Sequence, residues 1–337
     1  MRHARAMAIC AALLLGSPAV AQSLPDAASL PHLRDDGQSS YARFLITNLP
    51  RALAISPNGW WGWFGGAGTI EDARAKALKS CTDKGGQGCA IYIEDLQVAG
   101  TQQARAPVPG PLIQDSMHAF VPDPRYIWHG PAAARGIYIW GHGKADQWTD
   151  NRGQQPPPYV RAFNNAGYDV VRFDRAPAYD YDTYAARWLH EGAVELRRQG
   201  WRTVIAGGQS WGAWAALTTL DTPGLVDAVV AVSPGNSNKY MGATQASGFP
   251  ALTQHANAPG ARVVVVQFVD DFFSGDPDER ATLLRTVLRP HVGALLVIDR
   301  PAGFSGHGAG NSSAFAYKFA GCILGFVTGT AAASPPC

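Results

Sequence analysis

The chain has 337 residues, of which 46% are hydrophobic and 16% charged, so it can bury one large core or two unequal ones. Its 28 basic and 26 acidic residues nearly balance. This balance gives no reason to expect nucleic acid or an anionic membrane as a partner.

The first residues have the layout of a secretory signal peptide. Arg2 and Arg5 precede an apolar segment over 6–15, and the small residues of an A-x-A pattern follow. The apolar segment is too short to span a bilayer, and a buried N-terminal helix is the alternative interpretation. We therefore expect residues 1–21 to be removed and the mature protein, with 26 basic and 26 acidic residues left, to be secreted or periplasmic.

An even number of cysteines follows this signal, as is usual in an exported chain. They are Cys81, Cys89, Cys322 and Cys337. We expect two local disulfides, Cys81 with Cys89 and Cys322 with Cys337, because an oxidising compartment disfavours free thiols. A metal site is the weaker alternative, since no C-x-x-C motif or histidine pair stands beside these cysteines, and we expect no metal.

The next region predicts a tether and a small α+β domain. Residues 22–40 are rich in Pro, Ser and Asp without periodicity, which is typical of a tether. In residues 41–99 we expect a strand at 52–56, a helix at 70–81 with Thr69 as its N-cap, and a strand at 89–93. This unit resembles small secreted modules in which a helix ends in a cysteine and the next strand opens with another.

Four aromatic residues lie in the turn after the first strand of this domain: Trp60, Trp61, Trp63 and Phe64. The cluster could stack on a sugar or a partner, but packing of the small domain against the large one is the favoured interpretation. Residues 100–125, which are rich in proline, predict a linker or a chain that wraps the next domain.

Residues 126–337 predict an α/β domain. Apolar strands alternate with helices, which indicates a mainly parallel sheet covered by helices on both faces. Strands are expected at 137–140, 169–173, 203–206, 227–232, 262–268 and 294–298, and helices at 183–199, 211–220, 278–288 and 312–323. Ligands of such sheets bind beyond the carboxyl ends of the strands.

One of these strands runs directly into a helix through the sequence Gly208-Gln-Ser-Trp-Gly212. The G-x-S-x-G spacing predicts a tight turn with the serine at its tip, where side chains at the two glycine positions would have no room. Ser210 would then lie above the sheet, at the N-terminus of the helix. To act as a nucleophile it needs an imidazole that takes its proton and an acid that orients the imidazole.

Both partners occur later in the chain, in the order serine, acid, histidine. Asp271 follows the strand before the last, and His307 lies in a glycine-rich loop after the last strand. Asp276 competes with Asp271 for the role of the acid, although Asp276 could instead cap the helix that begins near residue 278. The sequence thus predicts a triad of Ser210, Asp271 and His307.

With these motifs, and with Gly141-His142-Gly143 after an early strand, residues 115–330 resemble the α/β-hydrolase superfamily. Within it they are similar to the secreted dienelactone-hydrolase-like esterases. The resemblance implies that the backbone N–H of Trp211 is one donor of the oxyanion hole and that Gly143 or Lys144 supplies the other. Dienelactone hydrolases proper have a cysteine at the position of the serine, so the resemblance implies shape rather than substrate.

Three further features border the expected site. His142 is interpreted as a residue that holds the shape of its loop. Asp180 and Asp182 are expected in a solvated loop. The loop 233–253, rich in glycine, asparagine and serine, is expected to shape the substrate pocket.

The sequence therefore predicts an exported serine hydrolase, resembling carboxylesterases, that acts on a small-molecule ester or acyl substrate without a cofactor. A peptidase or a thioesterase is the alternative, because the same triad serves any acyl transfer. A catalytically silent binding protein, which would hold a cell-envelope ligand through its tryptophan-rich domain, is the third interpretation.

Overall fold

The computed structural model describes residues 24–101, 106–145, 148–180, 182–236 and 245–330. The predicted signal peptide and Cys337 lie outside these ranges, so the expected pairing of Cys322 with Cys337 stays a prediction. Among the described residues, no helix combines the length and the apolar character needed to cross a membrane.

The N-terminal part of the chain forms a small unit around a four-stranded antiparallel sheet, in the order β2-β1-β3-β4. Its elements are α1 (Asp35–Leu45), β1 (Arg51–Ile55), β2 (Trp61–Gly65), α2 (Ile70–Asp83), β3 (Ala90–Glu94) and β4 (Gln97–Val98). Thr69 caps α2 as predicted, because its hydroxyl accepts the N–H of Asp72 at 3.1 Å. The expected disulfide between Cys81 and Cys89 is confirmed.

Residues that the sequence assigned to a tether are part of this small unit. A short 3-10 turn (Ala27–Ser29) and the beginning of α1 fall within 22–40. Leu30 and Leu33 are buried against the small sheet together with residues of α1. These apolar residues are too few to give a periodic pattern, but they cover a face of the sheet that would otherwise be exposed.

The rest of the chain forms an eight-stranded sheet in the order β12-β11-β10-β9-β7-β8-β6-β5. Its strands are β5 (Ile113–Gln114), β6 (His118–Pro122), β7 (Gly136–Gly141), β8 (Tyr168–Arg175), β9 (Val204–Gln209), β10 (Ala228–Val232), β11 (Ala258–Gln267) and β12 (Val292–Asp299). The strands from β7 to β12 are parallel, and β5 and β6 pair antiparallel at one edge. This topology confirms the predicted α/β-hydrolase fold.

Helices cover both faces of this sheet: α3 (Pro158–Asn165), α4 (Asp182–Arg198), α5 (Trp211–Thr218), α6 (Gln245–Gln254), α7 (Pro277–Leu283) and α8 (Ser313–Thr328). Side chains of each strand alternate between the faces, and β7 illustrates this alternation. Ile137 and Ile139 pack with the core that contains α4 and α5, whereas Tyr138 and Trp140 pack with the core that contains α3 and α8.

The strands β5 and β6 of the large sheet and the helix α3 beside it were not predicted. Residues 113–114 and 118–122 of the expected linker form β5 and β6, and Phe120 in β6 is fully buried. Helix α3 begins after a run of prolines that obscured its pattern. Because the central strands are parallel, their carboxyl ends meet at one edge of the sheet, where the loops after β7, β9, β11 and β12 come together.

Candidate active site

Ser210 lies in the turn between β9 and α5 with a backbone conformation of φ 57° and ψ −119°. A positive φ is unfavourable for a residue other than glycine, by about 1–3 kcal/mol, and it persists only where the surroundings impose it. Hydrogen bonds at both its N–H and its carbonyl hold this backbone: Ser210 N–H donates to the Val232 carbonyl at 3.0 Å, and Gly235 N–H donates to the Ser210 carbonyl at 3.2 Å. The serine is therefore fixed at the tip of the turn.

The two glycines around the serine are required by close backbone contacts, as predicted. A Cβ atom at Gly208 would lie 2.6 Å from the carbonyl oxygen of Gly141, and a Cβ at Gly212 would overlap that same carbonyl. The end of β7 thus rests directly on the first turn of α5. This contact seats the loop after β7 beside the serine.

His307 is oriented by a buried carboxylate. Its Nδ1 lies 2.7 Å from Oδ1 of Asp271, which is 8% exposed. The carboxylate also accepts the hydroxyl of Ser274 at 2.7 Å and the N–H of Phe273 at 3.1 Å. Burial alone would raise the pKa of Asp271, but these hydrogen bonds and the charge of His307 outweigh burial and hold that pKa below its usual value.

The loop that carries His307 is tied to the turn around Ser210. The Gln209 amide donates to the His307 carbonyl at 3.1 Å. A Cβ atom at Gly235 would lie 3.5 Å from Cε1 of the imidazole, and Gly235 itself bonds the Ser210 carbonyl. Since Nδ1 faces Asp271, Nε2 is the ring nitrogen left for another partner.

Asp276, the competing acid, caps a helix. Its carboxylate accepts the N–H of Asp278 at 2.8 Å and that of Glu279 at 3.4 Å, at the start of α7. The structure therefore brings Asp271, and not Asp276, to His307.

Two backbone N–H groups border the serine. A Cβ atom at Gly143 would lie 3.6 Å from Cβ of Ser210, so this residue is in direct contact with the serine. Trp211 is the first residue of α5, and the N–H of a first helical residue has no acceptor within the helix. Gly143 and Trp211 are the two residues that the sequence proposed for an oxyanion hole.

His142 is fully buried and bonds its own loop, in agreement with the expected shaping role. Its Nε2 accepts the backbone N–H of Arg175 at 3.1 Å, so the ring proton must be on Nδ1, which lies 2.6 Å from the carbonyl of Gly143. Burial, and then the charge of Arg175, lower the pKa of His142 well below its usual value. The ring is therefore neutral.

The expectation of a solvated loop is wrong for Asp180, which is 2% exposed. Its carboxylate accepts Nε of Arg175 at 2.7 Å, the indole N–H of Trp211 at 2.8 Å and the N–H of Ala145 at 2.8 Å. The side chain of Asp182 is outside the described part of the structure. Sequence reasoning missed Arg175 as well, because β8 also contains Asp169, Arg172 and Asp174, so one more charged residue at its end gave no distinct signal.

A second buried arginine, Arg280, lies behind the Asp271 carboxylate and was also missed. Its Nη2 donates to the Pro234 carbonyl at 2.7 Å, and its guanidinium lies over the ring of Phe249 at 4.0 Å. Burial lowers the pKa of Arg280 to about 10, and the charge of Asp271 opposes this shift. Arg280 thus remains a cation at neutral pH.

The aromatic cluster lies mostly in strand β2 and not, as expected, in a turn. It contacts the large domain through Trp63, whose ring centroid lies 6.4 Å from that of Tyr317 in α8. Arg34 lies over Trp60 at 4.4 Å, and Lys84 lies over Trp61 at 3.1 Å. The contact of Trp63 with Tyr317 supports the packing interpretation, whereas the two cation contacts lie within the small unit.

The expected loop 233–253 is only partly a loop: residues 237–244 lie outside the described part of the structure, and residues 245–253 belong to helix α6. A cavity of about 280 Å³ lies beside the part that is described, and its lining includes Trp214, Asn236, Leu252 and His255. The N–H of Trp214 donates to the Ser210 carbonyl at 2.9 Å. Trp214, one of the residues that line the cavity, therefore lies one helical turn after the serine.

No family model and no curated protein matches the sequence. Solved structures do match. An esterase of Pyrococcus furiosus aligns at 15% identity and a TM-score of 0.47, over 65% of this chain and 88% of that chain. Thermogutta terrifontis esterase 2 aligns at 15% identity and a TM-score of 0.44, over 68% and 98%. A puromycin-hydrolyzing peptidase of Mycobacterium tuberculosis aligns at 13% identity and a TM-score of 0.46, over 74% and 44%.

Proposed function

We propose that this protein is an exported serine hydrolase that cleaves carboxylic esters through an acyl-enzyme on Ser210. The observation that carries the proposal is the 2.7 Å contact between His307 Nδ1 and Asp271 Oδ1, on a loop bonded to the residue before Ser210. An imidazole oriented by a buried carboxylate beside a serine at a turn tip is the arrangement that activates a hydroxyl. Export rests on the layout of the first 21 residues.

In the acylation step, Ser210 Oγ attacks the carbonyl carbon of the ester while its proton passes to Nε2 of His307. Asp271 accepts a hydrogen bond from the Nδ1–H group and, remaining ionised, stabilises the imidazolium that forms. The carbonyl oxygen becomes an oxyanion, which accepts the backbone N–H groups of Trp211 and Gly143. One such donor contributes about 3 kcal/mol to transition-state stabilisation.

Collapse of this intermediate breaks the bond between the acyl carbon and the alcohol oxygen, and Nε2 of His307 returns its proton to the departing alcohol. A water molecule then attacks the acyl carbon while His307 takes its proton. The second collapse releases the carboxylic acid and restores Ser210 with its proton.

The cavity beside Trp214 is the proposed place for the acyl group. Its lining combines Trp214 and Leu252 with polar side chains, and its volume of about 280 Å³ suits a small acyl group rather than a long one. We therefore expect short-chain esters to be the better substrates. Thioesters and peptides are the alternatives, because the same triad serves any acyl transfer.

The test is hydrolysis of p-nitrophenyl esters of increasing acyl length by the purified mature protein. Acetate and butyrate esters should be cleaved faster than the palmitate ester, and Ser210→Ala should lose the activity by about 1,000-fold or more. Ser29→Ala, at an exposed serine, is the control and should retain it. Hydrolysis of p-nitroanilides or acyl thioesters in place of esters would favour the alternatives, and no hydrolysis by the folded protein would favour the silent binding protein.

A further inference from the structure

An ion pair between Arg175 and Asp180 lies behind the two backbone donors next to the serine. Its Nε to Oδ1 distance is 2.7 Å, and both side chains are fully out of contact with solvent. Residues so placed cannot touch a substrate. A buried ion pair is costly to desolvate and is not by itself evidence of stability. The other contacts of Arg175 and Asp180 must therefore explain why this pair is buried here.

The guanidinium of Arg175 holds the loop after β7 by donating to backbone carbonyl groups of that loop. Nη2 of Arg175 lies 2.7 Å from the His142 carbonyl oxygen and 3.4 Å from that of Gly143. In a trans peptide the carbonyl and the following N–H point in opposite directions. The N–H of Gly143 shares its peptide with the His142 carbonyl, and it is therefore turned away from the cation.

The carboxylate of Asp180 holds Trp211, the residue that would supply the other backbone donor. Oδ1 accepts the indole N–H of Trp211, and Oδ2 accepts the N–H of Ala145, both at 2.8 Å. One carboxylate thus connects the residue that would supply the second donor with the far end of the loop that would supply the first. The indole of Trp211, which the reaction itself would not use, is the anchor of that residue.

We infer that Arg175 and Asp180 are positioning residues that set the direction of both oxyanion-hole donors, an inference that rests on the proposed function. The oxyanion exists only in the tetrahedral intermediate and the transition states around it. Misaligned donors therefore lower kcat and leave substrate binding nearly unchanged. If the two residues only stabilised the fold, substituting them would lower the free energy of unfolding without lowering kcat selectively over KM.

Trp211→Phe and Arg175→Lys test the inference on the full mature protein. Trp211→Phe keeps an aromatic side chain but replaces the indole with a smaller phenyl ring that has no N–H for Asp180 to accept. It remains informative if Arg175→Lys fails to fold, and Trp188→Phe controls for the loss of ring size. We expect kcat on p-nitrophenyl butyrate to fall about 10- to 100-fold and KM to change by less than about threefold. The affinity for a butyl trifluoromethyl ketone, which adds to the serine as a tetrahedral adduct, should fall by the same factor as kcat/KM.

The matched control is Trp188→Phe, the same substitution at a buried tryptophan of α4, which should keep kcat. If the wild-type protein cleaves the ester but Trp211→Phe and Arg175→Lys both fold and keep kcat within about twofold, the inference is wrong and the proposed function stands. A rise in KM at unchanged kcat would also overturn the inference, because it would indicate a substrate contact. A folded wild-type protein without any hydrolysis would overturn the proposed function and the inference together.

Discussion

The two sides of Ser210 are built differently. On the acid–base side, the side chain of His307 is 20% exposed and lies on a loop after β12, held by hydrogen bonds to Asp271 and Gln209. On the oxyanion side, Arg175 and Asp180 are both fully buried and bond directly to the loop and to Trp211. A group that must pass protons to a substrate has to stay reachable, whereas groups that only fix backbone donors do not.

This difference separates what each side contributes. The acid–base side changes its protonation state in every turnover, so its loss removes a chemical step. The oxyanion side keeps its protonation state during the reaction. It contributes by holding N–H dipoles where negative charge develops. Four predictions test this comparison.

The largest effect is expected on the acid–base side. Asp271→Asn should lower kcat by about 10,000-fold, because the amide favours the wrong tautomer of His307 and cannot stabilise the imidazolium. Steady-state hydrolysis of p-nitrophenyl butyrate measures the loss. Activity near the wild-type level in the folded variant would show that another residue orients the imidazole.

A smaller loss is expected when the contact beneath the oxyanion side is crowded. A Cβ atom at Gly212 has no room against the Gly141 carbonyl, whereas a Cβ at Gly308, beside His307, meets no atom within 4 Å. Gly212→Ala should therefore push the loop away from α5 and lower kcat by about 100-fold, and Gly308→Ala should have little effect. Equal kcat values for the two folded variants would contradict the described contact between the end of β7 and the first turn of α5.

The buried neutral ring of His142 should make the stability depend on pH. The unfolded chain binds a proton on this residue below about pH 6.5, and the folded protein does not, because its pKa lies well below that value. The free energy of unfolding should therefore decrease as the pH falls from 7.5 to about 5.5, less steeply in His142→Gln than in the wild type. Urea unfolding at both pH values measures this, and the exposed His291→Gln should follow the wild type. Identical slopes in all three proteins would refute the neutral assignment.

The smallest effect is expected for the rejected acid. Asp276→Ala should lower the free energy of unfolding by about 1 kcal/mol through loss of the cap of α7, and kcat should not change. Denaturant unfolding together with ester hydrolysis separates these effects. A large loss of kcat with unchanged stability would return Asp276 to the site.

The acid–base side could be predicted from the sequence, and the support of the oxyanion side could not. Ser210, Asp271 and His307 are chemically distinctive residues that follow strands in a recognisable order. Arg175 and Asp180 are separated by a short turn, and charged residues in such a turn ordinarily lie in solvent. Their burial depends on the loop after β7 and on the indole of Trp211, which no local pattern connects to them.

The same reasoning explains the misread parts of the fold. The strands with continuous apolar runs, such as β9 and β10, could be predicted because burial on both faces leaves an unbroken pattern. In the chain before α1 and in β5 and β6, the apolar residues are interrupted by prolines and polar residues, and these segments fold because a neighbouring surface covers them. Local sequence carries little of that information.

The central claim is that Ser210 is a nucleophile activated by His307. The most direct test is to incubate the mature protein with a fluorophosphonate probe, measure the intact mass and locate the adduct by peptide mapping, with His307→Asn in parallel. The account predicts one adduct per chain, on Ser210, formed much more slowly in the variant. Folded wild-type protein without an adduct on Ser210 would contradict it.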